Sequence, residues 1–355
     1  MKELGVRLLK WYQQNRRELP WRETSDPYAI WLSEIILQQT RVSQGLPYYQ
    51  RFIKTFPAVN DLAAASQDSV FKLWQGLGYY RRAENMMKTA HIVATGYDGV
   101  FPKSYSELLT LPGIGDYTAA AIASIAYGEK VAVVDGNVYR VLSRLFGIKT
   151  VIQSGQAKKE FTERMLILMD DTHPGTFNQA VMEFGALYCV PGLPDCEKCI
   201  FMNRCHAHIS QKVQEFPVIK PKVKKKKRFI YYLIVEWNHH FILNHRKKNE
   251  IWKGLYDFPS MEYSSKQDEE TLLERINKMS YLDPETIKVA TPFSKIYKHQ
   301  LTHIDITAQF IRIQSEKKPV LSHETSLQLV SGEMLSSFAV SRLMDRFLEE
   351  EIRLL

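Results

Sequence analysis

Residues 111–124 read LPGIGDYTAAAIAS, and residues 133–145 read VVDGNVYRVLSRL. In the first stretch Gly113 and Gly115 bracket Ile114, and a helix-forming run begins at once. Glycine lets the backbone turn tightly and lets N–H groups approach an anion, and the helix N-terminus that follows adds partial positive charge. Taken alone, a G-x-G turn before a helix also describes an ordinary link between two helices. The second stretch adds Asp135 in a polar D-G-N turn flanked by apolar residues, about twenty positions on. Together they describe a hairpin between helices, followed by a carboxylate in a polar turn.

Working outward, WLSEIILQQTRVSQGLPYYQRFIKTF, DSVFKLWQGL, YYRRAENMMKTAHIVATGY and AKKEFTERMLILMDD all space apolar residues by three and four, so the region before residue 212 reads as all-helical. After residue 228 the text changes to RFIYYLIVEW, HHFILNHR and HIDITAQFIRIQ, rich in Ile, Tyr, Val and Phe. The helix-like DEETLLERINKM and SSFAVSRLMDRFLEEEI complete an α+β domain. Between them, KVQEFPVIKPKVKKKKR (212–228) carries 8 basic residues against 1 acidic. It reads as a basic interdomain linker, either a solvated tether or a contact to polyanion.

The chain's formal charge is +8 over 355 residues, with 24% charged and 45% hydrophobic side chains. That excludes disorder as the main state and favours two or three domains. It also suggests an anionic partner, but most of the excess lies in 212–228, so diffuse charge does not define the partner. No stretch of 18 apolar residues occurs and the amphipathic N-terminus has no signal-peptide core, which gives the expectation of no membrane contact and a cytoplasmic, nucleoid-associated setting.

The four cysteines, Cys189, Cys196, Cys199 and Cys205, fall in a C-x6-C-x2-C-x5-C pattern in a chain with no others. Such clustering indicates a metal site rather than a disulfide framework. Four thiolates suit zinc or an iron–sulfur cluster, and ligand type does not separate them.

Glu34 lies among Trp31, Leu32, Ile35, Ile36 and Leu37, a setting that raises a carboxyl pKa if it is buried. Asp135, beside Gly136 and Asn137, has donors expected to keep it ionised. Two carboxyls held at different pKa values can divide general-acid and charge-stabilising work within one site.

The hairpin followed by an aspartate resembles the helix-hairpin-helix/Gly-Pro-Asp DNA glycosylase superfamily. With LPWR (19–22), WLSEIILQQTRV (31–42), WQGLGYYRRA (74–83), FNQAVMEFGALYC (177–189) and the cysteine loop, it resembles the MutY family of adenine DNA glycosylases over residues 19–205. The cysteine spacing is similar to the 4Fe-4S loop of endonuclease III and MutY. The resemblance implies a catalytic region of two lobes, 1–21 with 132–211 carrying the cluster and 22–131 carrying the hairpin, followed by the linker and a Nudix-like domain at 229–355. It implies a monomer that acts on double-stranded DNA containing A:8-oxoguanine or A:G mispairs and hydrolyses the flipped adenine's bond.

Residue by residue, the resemblance makes Glu34 the acid at adenine N7 and Asp135 the carboxylate that stabilises the cation, with Tyr117 and Asn137 hydrogen-bonding around them. Trp21, Arg22 and Gln179 match the adenine pocket. Leu37, Gln39 and Tyr79 match residues that wedge into the duplex. Gly113, Gly115 and Tyr117 match the phosphate-binding hairpin. Bifunctional relatives carry a lysine where this chain has Tyr117; a phenol cannot form an imine, so a monofunctional enzyme is expected. IWKGLYDFPSME (251–262) resembles the Nudix-like reader of oxidised guanine, without the R-E-x2-E-E magnesium motif. Its recognition loop corresponds to Leu301, Thr302 and His303, where the family usually has Phe-Ser-His. Thr302 keeps a hydroxyl and Leu301 lacks the ring.

Overall fold

The computed structural model describes residues 2–169, 171–221, 225–247, 251–291, 293–322 and 326–352. The chain forms two compact units, residues 1–65 with 84–221, and residues 66–83 with 222–355.

The first unit is helical. The helix Pro27–Leu37 starts at Pro27 with Asp26 as its cap, whose carboxylate accepts from the Tyr28 N–H at 3.0 Å. Every residue from Tyr28 to Ile36 is buried, Glu34 included, so this apolar helix is covered on all sides. The helix Asp116–Tyr127 packs against it, with an alanine-rich run from Thr118 to Ser124 that permits close approach. Ahead of it, Gly113 has φ +77°, and a Cβ there would lie 2.6 Å from Asn85 Cβ, so the hairpin needs glycine for both conformation and space. Asp135 caps the helix Gly136–Phe146 by accepting from the Val138 N–H at 2.7 Å. The segment leading to it is fixed by buried Asn178, which accepts from the Val133 N–H at 3.1 Å and donates to Val131 O at 2.9 Å. One core joins the helices Lys2–Asn15, Gly136–Phe146, Gly155–Leu168 and Pro174–Leu187 through Trp11, Leu142, Phe161 and Phe184.

The second unit is built on an eight-stranded sheet. Its central strands Lys226–Trp237 and Ile304–Ser315 run parallel, and the other pairings are antiparallel. Ile230, Tyr232 and Ile234 enter one core with the helix Arg342–Phe347, while Tyr231, Leu233 and Val235 enter another with the helix Glu269–Asn277. Both faces are covered, which explains the unbroken apolar run FIYYLIV.

Two boundaries differ from the sequence expectation. Residues 66–83, expected within 22–131, fall in the second unit: Gln75 Nε2 donates to Asp345 Oδ1 at 2.7 Å and Tyr80 Oη to Val340 O at 3.1 Å. Periodicity marks which side of a helix is apolar and says nothing of what covers it. The 212–228 segment is not a free connector either. Phe216 is buried, the Ile152 N–H donates to Val218 O at 3.1 Å, and Lys226 to Arg228 open the central strand of the sheet. Lys222, Val223 and Lys224, also within that expected linker, lie outside the described residues.

Candidate active site

In the first unit, a cleft of about 990 Å³ is lined by Trp21, Arg22, Glu34, Leu37, Gln39, Tyr117, Asp135, Asn137 and Gln179. Residues from five separated stretches of sequence thus meet. Trp21 is buried, edge-on to Tyr49 at 4.9 Å, and Gln179 Oε1 accepts from Tyr12 Oη at 2.7 Å, so the amide side chain is held in one orientation. Leu37 is half-buried at the end of its helix, and Gln39 is exposed with φ +57° in the turn that follows.

Glu34 is 9% exposed, and burial pushes its carboxyl up to about 7. A hydrogen bond from Tyr117 pulls the other way, and the negative charge of Asp135 adds to the rise. Asp135 has the expected donors: Asn137 Nδ2 reaches Oδ2 at 2.8 Å and the Val138 N–H reaches Oδ1 at 2.7 Å. Its pKa nevertheless lies above the ordinary aspartate value, because burial outweighs those bonds. The donors expected around Asp135 are present, and burial is the effect that the turn sequence does not express. A donor count read from sequence omits the desolvation that comes with the cleft.

Asn137 is itself held. Its Oδ1 accepts from Arg140 Nη2 at 2.8 Å, while Arg140 Nε donates to Cys189 O, also at 2.8 Å. Gly185 lets this contact form, since a Cβ there would stand 2.6 Å from Asn137 Cβ. One turn on, buried Arg144 donates to Val190 O at 2.8 Å and Gly192 O at 3.0 Å, and lies 3.4 Å from Cys189 Sγ. The same helix therefore carries Asp135 at its head and the cysteine loop along its side. Cys189, Cys196, Cys199 and Cys205 line one small space of about 30 Å³, and the Phe201 N–H points at Cys199 Sγ at 3.4 Å. Among the described residues, no three His, Cys, Asp or Glu side chains converge on one point as ligands of a single ion.

Gly113 and Gly115 do not line the cleft itself. They border an adjacent hollow that shares Tyr117 and Gln38 with it and holds Asp116, whose Oδ1 lies 2.6 Å from Lys158 Nζ. The remaining four predicted residues are in the second unit. Leu301, Thr302 and His303 form a tight turn closed by the Leu301 N–H to Ile304 O at 2.8 Å. Tyr79, half exposed at φ +50°, brings its hydroxyl to 3.4 Å from Thr302 Oγ1.

Residues 32–165 match the family model described as HhH-GPD superfamily base excision DNA repair protein, and residues 230–350 match that of the NUDIX domain. An adenine DNA glycosylase of Buchnera aphidicola subsp. Acyrthosiphon pisum is 34% identical over 299 residues, covering 84% of each chain. The chain belongs to the adenine DNA glycosylase family. The human adenine DNA glycosylase is 41% identical over 217 residues, 59% of this chain and 39% of that protein. A solved thermostable thymine-DNA glycosylase is 31% identical with a TM-score of 0.55, covering 59% of this chain and 96% of that one. The helical scaffold is thus shared with an enzyme named for another base.

In this adenine DNA glycosylase family member, two cleft residues, Arg17 and Glu183, escaped the sequence reading. Glu183 is 1% exposed and accepts from Arg22 Nη1 and Nη2 at 2.8 and 2.7 Å and from Arg17 Nε and Nη2 at 2.9 and 2.6 Å. Burial would raise its carboxyl, but the Arg22 and Arg17 hydrogen bonds override it and bring the pKa to about 2. The available signal was slight: Glu183 falls four residues after Gln179, on the same helical face.

Proposed function

We propose that this protein removes adenine from duplex DNA where it is paired with 8-oxoguanine or guanine, by hydrolysis of the N-glycosidic bond and without cutting the strand. The carrying observation is Glu34, a buried carboxyl with a pKa near 7 beside Asp135 in one cleft. At neutral pH a large share of Glu34 is protonated, so it can deliver a proton to N7 of the flipped base. Adenine is a poor leaving anion, and protonation is what lets it depart. Asp135, steered by Asn137 and the Val138 N–H, carries negative charge toward the sugar as the oxocarbenium ion forms. Trp21, Arg22 and Gln179 hold the extruded base. Arg22 is engaged with Glu183, so it shapes the pocket with little charge left to draw Glu34 down. Tyr117, buried with its phenol pKa raised well above the ordinary value, stays neutral and supplies a hydrogen bond in place of an attacking amine.

The cysteine loop fits a 4Fe-4S cluster. Four sulfurs surround a shared space instead of meeting at a point, and N–H groups of Arg144 and Phe201 face two of them. Such a cluster, held by Cys189, Cys196, Cys199 and Cys205, would supply rigidity to the loop that Arg140 and Arg144 bind. Leu301, Thr302 and His303 read the partner base, with Tyr79 wedging beside it. The protein acts as a monomer in the cytoplasm, on the nucleoid. Incubation with an A:8-oxoguanine duplex followed by alkali should give cleavage at the adenine, with none before alkali. Release of a different base from a panel of lesion duplexes, with adenine retained, would overturn the reading.

A further inference from the structure

The basic run that the composition marks as a linker has a more specific position. Lys226 to Arg228 form the start of the central strand and pair in parallel with Ile304, Asp305 and Ile306, the residues that follow Leu301–His303. The Lys226 N–H donates to His303 O at 2.9 Å. The neighbouring strand Tyr297–Gln300 ends beside them, with Gln300 opposite Asp305. Three chain segments therefore meet at one end of the sheet, carrying Lys225, Lys226, Lys227, Lys298 and His303 around a loop that touches the exposed Tyr79.

The acidic groups nearby offset part of this charge. Asp305 pairs with Lys225 at 3.4 Å, and Glu262 pairs with Arg228 at 3.1 Å. Lys226 and Lys227 are exposed and have no ion pair among the described residues. We infer that Lys226 and Lys227 bind backbone phosphates of the DNA strand opposite the target adenine, next to the base that the Leu301–His303 loop reads. The charge excess then serves the reading of one strand and is not a general attraction of the whole protein to DNA. Two lysines without an ion pair among the described residues, at the end of the sheet that carries the Leu301–His303 turn, match a nucleic-acid backbone in charge, and a phosphate contact positions without specifying sequence. The inference rests on the assignment of that loop as the partner-base reader.

The test uses the full-length protein, Lys226→Gln/Lys227→Gln and, separately, Thr302→Ala, on A:8-oxoguanine and A:G duplexes. Phosphate-ethylation interference should disappear for the double variant at phosphates near the partner purine on its strand, for both duplexes. The log–log slope of affinity against salt should become shallower by about 2, since each lost phosphate contact contributes about 0.9. Lys226→Arg/Lys227→Arg should keep both properties, which separates charge from folding. An unchanged slope, or interference lost only on the adenine strand, overturns the inference. Failure of the loop assignment shows differently: Thr302→Ala would leave the 8-oxoguanine preference unchanged while the lysine variant still lost its phosphates.

Discussion

Arg22 sets its two terminal nitrogens against the two carboxylate oxygens of Glu183, at 2.8 and 2.7 Å, inside the cleft that contains Glu34. The pair keeps a cation close to the adenine pocket without leaving its charge free. Arg22 acts to lower the Glu34 pKa, and Glu183 restrains that effect by neutralising it.

Glu183→Gln should therefore do two things. It leaves buried Arg22 and part-exposed Arg17 without a counter-charge, which costs about 3–5 kcal/mol of stability in a denaturant titration. It should also move the pH limb of base release downward, because uncompensated Arg22 holds Glu34 ionised to lower pH. In the wild type, the Glu183 contribution is present above pH about 4.5 and is lost as pH falls toward its folded value of about 2. The stability difference between wild type and variant should shrink over that acid range.

Glu34 carries the opposite linkage. Its folded pKa of about 7 lies above the ordinary 4.5, so folding favours the protonated form, and stability is lost as pH rises through 7. Glu34→Gln, which mimics the protonated side chain, should be more stable than wild type at pH 8.5 by roughly 3 kcal/mol. The two should converge below pH 4.5. Equal denaturation midpoints at pH 8.5 would show that the carboxyl is not desolvated.

Gly185→Ala would drive a methyl to about 2.6 Å from Asn137 Cβ and displace the amide that donates to Asp135. Overpacking of this kind costs about 1–3 kcal/mol, so the protein should still fold. Single-turnover adenine release should fall at least tenfold while affinity for a duplex carrying a non-cleavable adenine analogue changes little.

How much of this was legible in the sequence depends on what each feature requires. The hairpin at 111–115, the Asp135 turn and the spacing of the cysteines are local, and short motifs express them fully. Glu34 was legible through its place in the family-like stretch WLSEIILQQTRV, and its five apolar neighbours added the expectation of burial. The Glu183 pairing with Arg17 and Arg22 spans more than 160 positions and leaves no periodic trace. The sign of the Asp135 shift depends on how deeply the cleft encloses it, which no local pattern encodes. Lys226–Arg228 read as part of a tether because their charge sets them apart from the apolar run that follows, although the strand begins at Lys226.

Thr302 is the only hydroxyl in the Leu301–His303 turn, and Tyr79 lies 3.4 Å from it. Thr302→Ala should narrow the gap between 8-oxoguanine and guanine as partner by about three- to tenfold, the worth of one hydrogen bond of about 0.5–1.5 kcal/mol. The ratio of single-turnover rates on the two duplexes measures it. An unchanged ratio would place the recognition of the oxidised base elsewhere in the domain.

The most direct measurement is single-turnover adenine release from an A:8-oxoguanine duplex between pH 5.5 and 8.5, for wild type and Glu34→Gln. Wild type should lose rate as pH rises through about 7, as Glu34 gives up the proton that the leaving base needs. Glu34→Gln should be slower by about 10²–10⁴-fold and should lack that inflection. A Glu34→Gln enzyme that releases adenine at the wild-type rate, or that keeps the inflection, would contradict the assignment of Glu34 as the proton donor.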